Sequence, residues 1–405
     1  MYPFFLRVVS LFLLVVFWST SSCSHVEPYS PQEILINELP KFSPDMIAQR
    51  VLLIGDAGMW DKGRTNTTVE LMFQIASQLP RKTLLIFLGD NVYEKGLPKE
   101  SSIARKEKEA ILRTQLDWFK SDSGRLSTGI MIPGNHDWHG GKREGLQVIK
   151  RERDFVITHY GPNVKFLPDR AGCPGPDVYD SGVLRIIALD TQWWLHSYQV
   201  GTASCDSLNS HHTRKDVQKA AFARLRSLLA NSENRETIII AHHPLASHGP
   251  HGGFFTLKDH IFPLTNFVKW AYIPLPGIGS IYPLFRKYVF NNSQDLNSGK
   301  YQALIDSLNS IFANVPHKPL IYAAGHEHNL QILKGRNVHY IVISGSGAKL
   351  SPVGDGDDTL FAHEEHGFIQ LDFLRDGRIY LSVVEKDTDG QQGKIIYSRQ
   401  IPEGN

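Results

Sequence analysis

Five apolar runs in the chain are each followed directly by a short polar segment. Runs of this length, rich in branched side chains, are typical of buried β-strands. A polar side chain that follows a buried strand lies at its carboxyl end, where the sites of α/β folds form. The five polar segments are therefore predicted to meet at one shared edge. The apolar runs are 51–54, 84–88, 130–132, 237–240 and 320–322.

The polar segments supply donor atoms that suit metal cations. Carboxylates, an amide oxygen and imidazoles favour borderline-to-hard cations, and two cations sharing a carboxylate need about seven or eight donors. Asp90 is central in the set and is the candidate for the shared ligand. His326 and His328 are two residues apart, so they project to the same side of an extended segment. A phenolate from Tyr93 would favour ferric iron, because its hard oxygen must lose a proton to bind. The candidate ligands are Asp56, Asp90, Tyr93, Asn135, His242, His326 and His328.

At these residues the chain resembles the calcineurin-like metallophosphoesterases, and within them the purple acid phosphatases of the tartrate-resistant type. The resemblance covers roughly residues 48 to 385. It includes the segment Ile343-Ser344-Gly345-Ser346-Gly347, which follows the last of the five polar segments. It implies an α/β fold, namely a sandwich of two mixed β-sheets flanked by helices. The matching segments, in chain order, are Gly55-Asp56-Ala57-Gly58, Gly89-Asp90-Asn91-Val92-Tyr93, Gly134-Asn135-His136-Asp137, Ala241-His242-His243 and Gly325-His326-Glu327-His328.

The resemblance also implies which residues bind which ion. In the wider superfamily a histidine stands where this chain has Gly58, and Tyr93 fills that vacancy. Pro244 fits the family frame in which His242, rather than His243, is the ligand. The resemblance assigns Asp56, Asp90, Tyr93 and His328 to a ferric ion, and Asp90, Asn135, His242 and His326 to a divalent ion that is iron, zinc or manganese.

The activity implied by the resemblance is hydrolysis of small phosphate monoesters by attack of a metal-bound hydroxide. His136 would assist the phosphate or the leaving group. His248 resembles a second family position near the leaving group, although a plain flexible loop also explains the Gly- and Pro-rich segment around it. A phosphodiesterase or pyrophosphatase on the same site is the alternative. A second alternative is a non-catalytic envelope lipoprotein that uses the fold as a scaffold. The intact ligand set disfavours this alternative.

The amino terminus has the pattern of an export signal. Arg7 precedes the apolar segment 8–18, which is short for a membrane span, and small residues follow before Cys23. Thr20-Ser21-Ser22-Cys23 resembles a bacterial lipobox. We therefore expect a signal peptide over 1–22, a lipid anchor at Cys23 and a tether over 23–46. The protein would then be an exported cell-envelope lipoprotein, facing the periplasm or the cell surface. Simple cleavage near Ser22 or an uncleaved anchor are the alternatives.

Composition is that of a large globular protein. The 405 residues include 43 basic and 41 acidic ones, and this balance argues against nucleic acid as an obligate partner. Helical apolar spacing occurs over 104–119, 215–230 and 300–313, and consecutive strands are predicted at 338–344, 367–373 and 378–384. These patterns suit two sheets packed face to face with helices outside, and the family resemblance implies one metallophosphoesterase domain over 47–405. Cys173 and Cys205 flank a predicted strand at 183–189 and could pair after export.

One region departs from the compact family pattern. Residues 254–300 form an insert that is rich in aromatic and branched residues and is interrupted by proline and glycine. Because it follows His248 directly, it is predicted to lie over or beside the site as a lid or a substrate-selecting wall. The alternatives are a packed subdomain without contact with substrate and an apolar patch that touches a bilayer.

Overall fold

The structure is a computed structural model, and part of the chain lies outside its description. It describes residues 24–32, 40–59, 66–198, 205, 213–232, 235–266, 268, 270–275, 278–288, 292–387 and 392–402. The predicted signal peptide and Cys23 fall outside these ranges. Within them, no helix combines the length and apolar character needed to cross a membrane.

Two seven-stranded mixed sheets form the centre of the molecule. The first contains β1 (Ile47–Ile54), β2 (Thr83–Phe87), β3 (Thr128–Met131), β4 (Val164–Phe166), β12 (Gly367–Leu374), β13 (Ile379–Lys386) and β14 (Gly393–Ile401), in the order β14-β13-β12-β1-β2-β3-β4. The second contains β5 (Asp177–Ser181), β6 (Leu184–Ala188), β7 (Glu236–Ile240), β8 (Ile321–Ala324), β9 (Leu330–Lys334), β10 (Tyr340–Ser344) and β11 (Thr359–His363), in the order β11-β9-β10-β8-β7-β6-β5.

Helices cover the outer faces of the sheets, and several begin at side-chain caps. The Asn66 side chain accepts hydrogen bonds from the amides of Thr68 and Val69 at the start of the first helix. A capping box between Thr213 and Asp216 begins the helix that precedes β7. In the described residues the α-helices are α1 (Thr67–Ser77), α2 (Arg105–Leu116), α3 (Gly145–Tyr160), α4 (Thr191–Leu195), α5 (Arg214–Ala230), α6 (Leu257–Ile261), α7 (Ile281–Tyr288) and α8 (Gly299–Ala313).

Burial on both faces explains why the central strands are continuous apolar runs. In β1, Val51 and Leu53 belong to the apolar core between the two sheets. Leu52 and Ile54, which point the other way, pack in the layer that contains the helices. The parallel pairing of β1 with β2 and of β2 with β3 is consistent with strands covered on both sides.

These findings confirm the predicted fold class, an α/β sandwich of two mixed sheets with flanking helices. Each of the five apolar runs is a strand, and the three helical patterns correspond to α2, α5 and α8. The prediction of a single sheet edge was too simple, because β1, β2 and β3 belong to one sheet, and β7 and β8 to the other. The shared edge is where the two sheets meet, and there the Gly55 amide donates to the Ser344 carbonyl at 2.6 Å.

The described part of the predicted tether lies against the domain. Tyr29 forms a β-bridge with Ala362 on β11, and the His25 amide donates to the Val353 carbonyl at 2.9 Å. Residues 24–29 therefore pack along the domain surface rather than extending away from it. Cys173 and Cys205 form a disulfide with their Cα atoms 5.3 Å apart.

A buried ion pair joins β1 to β12. Arg50 and Asp372 are direct neighbours across the two strands, and the guanidinium Nε and Nη2 donate to the two carboxylate oxygens at 2.7 and 3.0 Å. Both residues are less than a tenth exposed. Truncation of Arg50 would leave a buried carboxylate without its cation, which is costly.

We therefore expect Arg50→Ala to lower the free energy of unfolding by about 3 to 5 kcal/mol, measured by urea denaturation. The matched control is Arg378→Ala, which breaks an exposed ion pair with Asp376 on the protein surface and should change stability little. Equal losses in the two variants would show that burial of the Arg50 pair does not determine its effect.

Candidate metal centre

The loops that follow five strands converge where the two sheets meet. Hydrogen bonds between the loops tie them together: the Asp56 amide donates to the Gly89 carbonyl at 2.9 Å, and the Gly325 amide donates to the His242 carbonyl at 3.1 Å. Since each loop begins at the end of a buried strand, its first polar residue has little freedom of position. The seven predicted ligands are brought together by this arrangement.

Three of the donors form one group. The Tyr93 hydroxyl donates to Asp56 Oδ1 at 2.8 Å and lies 3.1 Å from His328 Nε2. His328 Nε2 is 3.4 Å from Asp56 Oδ1. All three atoms therefore surround one small volume.

Three other donors form a second group beside the first. Asn135 Oδ1 lies 3.0 Å from His242 Nε2 and 3.1 Å from His326 Nδ1. Asp90 Oδ2 is 3.4 Å from His242 Nε2. Donor atoms of Asp56, Asp90 and His242 also lie within 4.8 Å of one another, so Asp90 adjoins both groups.

Backbone amides hold the two carboxylates from the side opposite the donor groups. Asp90 Oδ1 accepts from the His136 amide, and Asp56 Oδ2 accepts from the His326 amide, each at 2.8 Å. Asp56, Asp90 and His326 all have positive φ angles, of 56°, 56° and 72°. The left-handed region is unfavourable for such residues, and its use at three donors marks a site that the surrounding fold holds in place.

Two glycines make this close approach possible. A Cβ on Gly134 would collide with Asp90 Oδ1, and a Cβ on Gly325 would collide with Asp56 Oδ2. Any larger residue at either position would displace a carboxylate. The glycines of these segments are therefore required by the packing around the donors.

The histidines of the second group are oriented as metal ligands usually are. His242 Nδ1 donates to the Leu88 carbonyl at 2.9 Å, and His326 Nε2 donates to the Gln294 carbonyl at 2.8 Å. A carbonyl that accepts from one ring nitrogen sets the tautomer and leaves the lone pair of the other nitrogen for a cation. In both residues that other nitrogen is the one that faces Asn135.

The electrostatics of the site also suit cations. Asp56 and Asp90 are buried, and their ion-pair partners among the described residues are histidines. Burial would raise the pKa of Asp90, but the His242 and His136 imidazoles lower it below its usual range. Burial opposes a proton on His242, yet Asp90 raises its pKa to about 9. Burial, followed by Asp56 and Asp90, raises the pKa of Tyr93. The donor set thus concentrates negative charge in a buried space, and the residues fit bound cations.

His243 is adjacent to this centre but has other partners. One of its nitrogens lies within 4.8 Å of donor nitrogens of His242 and His326. However, its Nδ1 is 2.8 Å from Thr191 Oγ1, and its Nε2 is 2.9 Å from Gln294 Oε1. Both ring nitrogens are therefore occupied, which agrees with the choice of His242 as the candidate ligand.

His136 lies beside the donor groups without joining them. Its Nδ1 donates to the Glu94 carbonyl at 2.7 Å, and its Nε2 is 3.9 Å from Asp90 Oδ2. The ring packs against Tyr93 with 4.3 Å between centroids, and 30% of the side chain is exposed. Nε2 thus lies near Asp90 on a side chain that solvent reaches.

The structure favours His251 over His248 as the imidazole that lies near the donor groups in addition to His136. His248 Nε2 is held by Asp358 Oδ1 at 2.6 Å, and its amide donates to Gln331 Oε1. His251 instead stacks on the ligand candidate His326, with 4.1 Å between ring centroids. Both histidines occur in the same Gly- and Pro-rich loop, so spacing along the sequence could not distinguish them.

Glu327 is a residue that sequence reasoning missed. It is fully buried between His326 and His328, and its Oε1 accepts from Ser247 Oγ at 2.9 Å and from the Gly252 amide at 3.0 Å. These bonds secure the loop that carries His251. The alternation of side chains along an extended segment could have indicated it. A residue between two ligands points to the side opposite the metal.

Gln294 was also missed, and it comes from the end of the insert. Its carbonyl orients His326, and its side chain contacts both His243 and Gln192. The insert therefore returns to the centre rather than remaining separate from it. No sequence signal indicated this, since a polar segment of the type found at 291–295 is common in ordinary loops.

Comparison with known proteins shows the family of the chain. The family model described as calcineurin-like phosphoesterase matches residues 49–269. This match covers more than half of the chain, and the protein belongs to the calcineurin-like phosphoesterase family. Purple acid phosphatase 17 of Arabidopsis thaliana is 22% identical over 218 residues, which are 53% of this chain and 57% of the relative. The predicted similarity to purple acid phosphatases is thereby confirmed, although the match spans little more than half of that relative.

Among solved structures, GAP50, described as the anchor in the inner membrane complex of Plasmodium, has a TM-score of 0.49 and 15% identity, covering 87% of this chain and 88% of its own. The purple acid phosphatase PPD1 from yellow lupin (Lupinus luteus) seeds has a TM-score of 0.48 and 15% identity, covering 89% of this chain and 54% of its own.

The role of Glu327 can be tested by its removal. Glu327→Ala would leave Ser247 Oγ and the Gly252 amide without their acceptor, so we expect a loss of unfolding free energy of about 1 to 3 kcal/mol. Hydrogen exchange at 247–253 should accelerate, while Glu100→Ala, an exposed control, should leave both quantities unchanged. Unaltered exchange in Glu327→Ala would mean that other contacts hold this loop.

Proposed function

We propose that the protein hydrolyses phosphate monoesters at a centre of two cations, one ferric and one divalent iron, zinc or manganese. The observation that carries the proposal is the division of seven donors into two adjacent groups with Asp90 beside both. Asp56, Tyr93 and His328 would hold one cation, and Asn135, His242 and His326 the other. Bound there, the cations would neutralise charge on the phosphate and make a water molecule more acidic.

His136 supplies a hydrogen-bond donor beside the metal-ligand candidates. Since its Nδ1 is bonded to the Glu94 carbonyl, Nε2 is the nitrogen that can donate to a phosphate oxygen or protonate the leaving alkoxide. Such general acid assistance is most often provided by histidine. The position of the ring against Tyr93 keeps Nε2 near the donors without making it a ligand.

His251, which stacks on the ligand candidate His326, supplies a second hydrogen-bond donor. Asp295 Oδ1 lies 2.7 Å from His251 Nδ1 and so leaves Nε2 to act on the substrate. Burial would raise the pKa of Asp295, but bonds from His251 and Arg286 hold it below its usual value. The carboxylate therefore stays charged and keeps the ring in one orientation, as in other pairs of an imidazole and an orienting acid.

The ligand assignment predicts a graded loss of metal. In the full chain prepared with iron and zinc, Asp90→Ala should lose both cations, because its carboxylate adjoins both groups. His328→Ala should lose mainly the ferric ion, and Tyr93→Phe should lose the visible absorption that a ferric tyrosinate produces. Elemental analysis and absorption spectra measure these outcomes, with Asp358→Ala as a control away from the donors. Retention of both cations by Asp90→Ala would refute the shared-ligand assignment.

The roles proposed for His136 and His251 predict a specific kinetic pattern. With p-nitrophenyl phosphate as substrate, His136→Asn and His251→Asn should each lower kcat by about 10² to 10⁴ without loss of metal. His248→Asn should lower kcat much less, and His159→Asn on α3 serves as the control. Greater loss in His248→Asn than in His251→Asn would reverse our preference between them. Faster hydrolysis of bis(p-nitrophenyl) phosphate by the unmodified protein would instead favour a phosphodiesterase.

A further inference from the structure

The insert carries a concentration of exposed apolar side chains. Trp270 is 82% exposed, Ile278 66% and Ile281 62%, and Tyr272, Ile273 and Leu284 are each more than half exposed. We call these six residues the insert patch. Soluble proteins seldom leave so many large apolar side chains exposed over a short stretch unless the surface has a partner.

The packing of α7 shows that part of this patch faces away from the domain. Ile281 and Leu284 are one helical turn apart and lie on the same side of the helix. Arg286, on another side of the same helix, pairs with the buried Asp295 at the end of the insert, with its Nη2 2.9 Å from Asp295 Oδ1. The exposed apolar side of α7 is thus not its core-facing side.

The chemistry of the insert matches an anionic lipid surface. Lys258 Nζ lies 5.2 Å from the centre of the Tyr272 ring, so a cation lies beside one residue of the patch. Tryptophan, tyrosine and branched residues next to lysine and arginine are typical of segments that lie in the membrane interface. Basic residues add attraction to anionic headgroups. The segment 254–288 contains four basic residues, Lys258, Lys269, Arg286 and Lys287, against one acidic residue, Asp259.

A chain of contacts connects the insert with the point where the N-terminal segment reaches the domain. Phe254, the first residue of the insert, packs so closely on Gly354 that a Cβ there would collide with its ring. The neighbouring Val353 carbonyl accepts from the His25 amide at 2.9 Å. Ser24 Oγ in turn donates to Glu364 Oε2 at 2.6 Å. Ser24 follows Cys23 directly, and five residues separate it from the apolar segment 8–18. The chain that follows these residues therefore meets the domain close to the root of the insert.

We propose that the insert patch docks on the surface of an anionic lipid bilayer, on the same side as the N-terminal segment. The six side chains lie in the interface and do not span the bilayer. The proposal is independent of the catalytic function proposed above, because none of the patch residues belongs to the donor groups.

Trp270 provides a direct probe. The full chain is reconstituted into vesicles of phosphatidylcholine and phosphatidylglycerol whose acyl chains are brominated near the headgroup, and tryptophan emission is recorded. Trp270→Phe keeps an aromatic side chain in the patch but removes this fluorophore, so the difference between the two proteins isolates Trp270 from the other six tryptophans. We expect quenching in the unmodified protein to exceed that in Trp270→Phe, and to decrease when the bromines are near the chain ends.

A second pair of variants tests the patch itself. Ile281→Asn with Leu284→Asn should reduce the quenching of Trp270, whereas Ile103→Asn, at a fully exposed apolar position elsewhere, should not. Equal quenching in the unmodified protein and Trp270→Phe would overturn the proposal. Equal quenching in phosphatidylcholine alone would overturn the role of the anionic lipid. A dimer in sedimentation equilibrium without vesicles, abolished by the paired substitution, would show that a second copy of the chain covers the patch instead.

Discussion

The structure depends on two buried carboxylates, Asp56 and Asp90, that stand where the edges of two sheets meet. Each uses one oxygen to accept a backbone amide from a facing loop and presents the other to the neighbouring donors. Two negative charges so close together and so deeply buried are unfavourable unless positive charge compensates them. Metal binding would therefore stabilise the junction of the sheets, and the fold and the site share one electrostatic requirement.

This requirement explains why backbone strain and glycine are concentrated here. The chain adopts positive φ at Asp56, Asp90 and His326, and glycines let one loop from each sheet approach the carboxylates. Such conformations persist only when surrounding structure enforces them. The enforcing structure is the buried parallel core, which places the strand ends without help from the site.

The residues that could be predicted from sequence are those whose position follows from a strand end. Asp90 and His242 each stand two residues after the end of an apolar run, so strand burial largely fixes their positions. Residues placed by tertiary contacts could not be found in the same way. His251 rather than His248 lies at the centre because Glu327 secures the loop between them, and Gln294 arrives through an insert whose path has no sequence signature. The order of strands was likewise hidden, since runs destined for different sheets have the same apolar character.

The insert links two parts of the molecule that the sequence presents as separate. Arg286 on α7 pairs with Asp295, the same carboxylate holds His251, and His251 stacks on His326. The position of an exposed helix and the orientation of an imidazole at the centre thus depend on one buried acid. The apolar segment is therefore part of the architecture of the site as well as of the surface, and changes in its outer face need not disturb the centre provided that the Arg286 contact is kept.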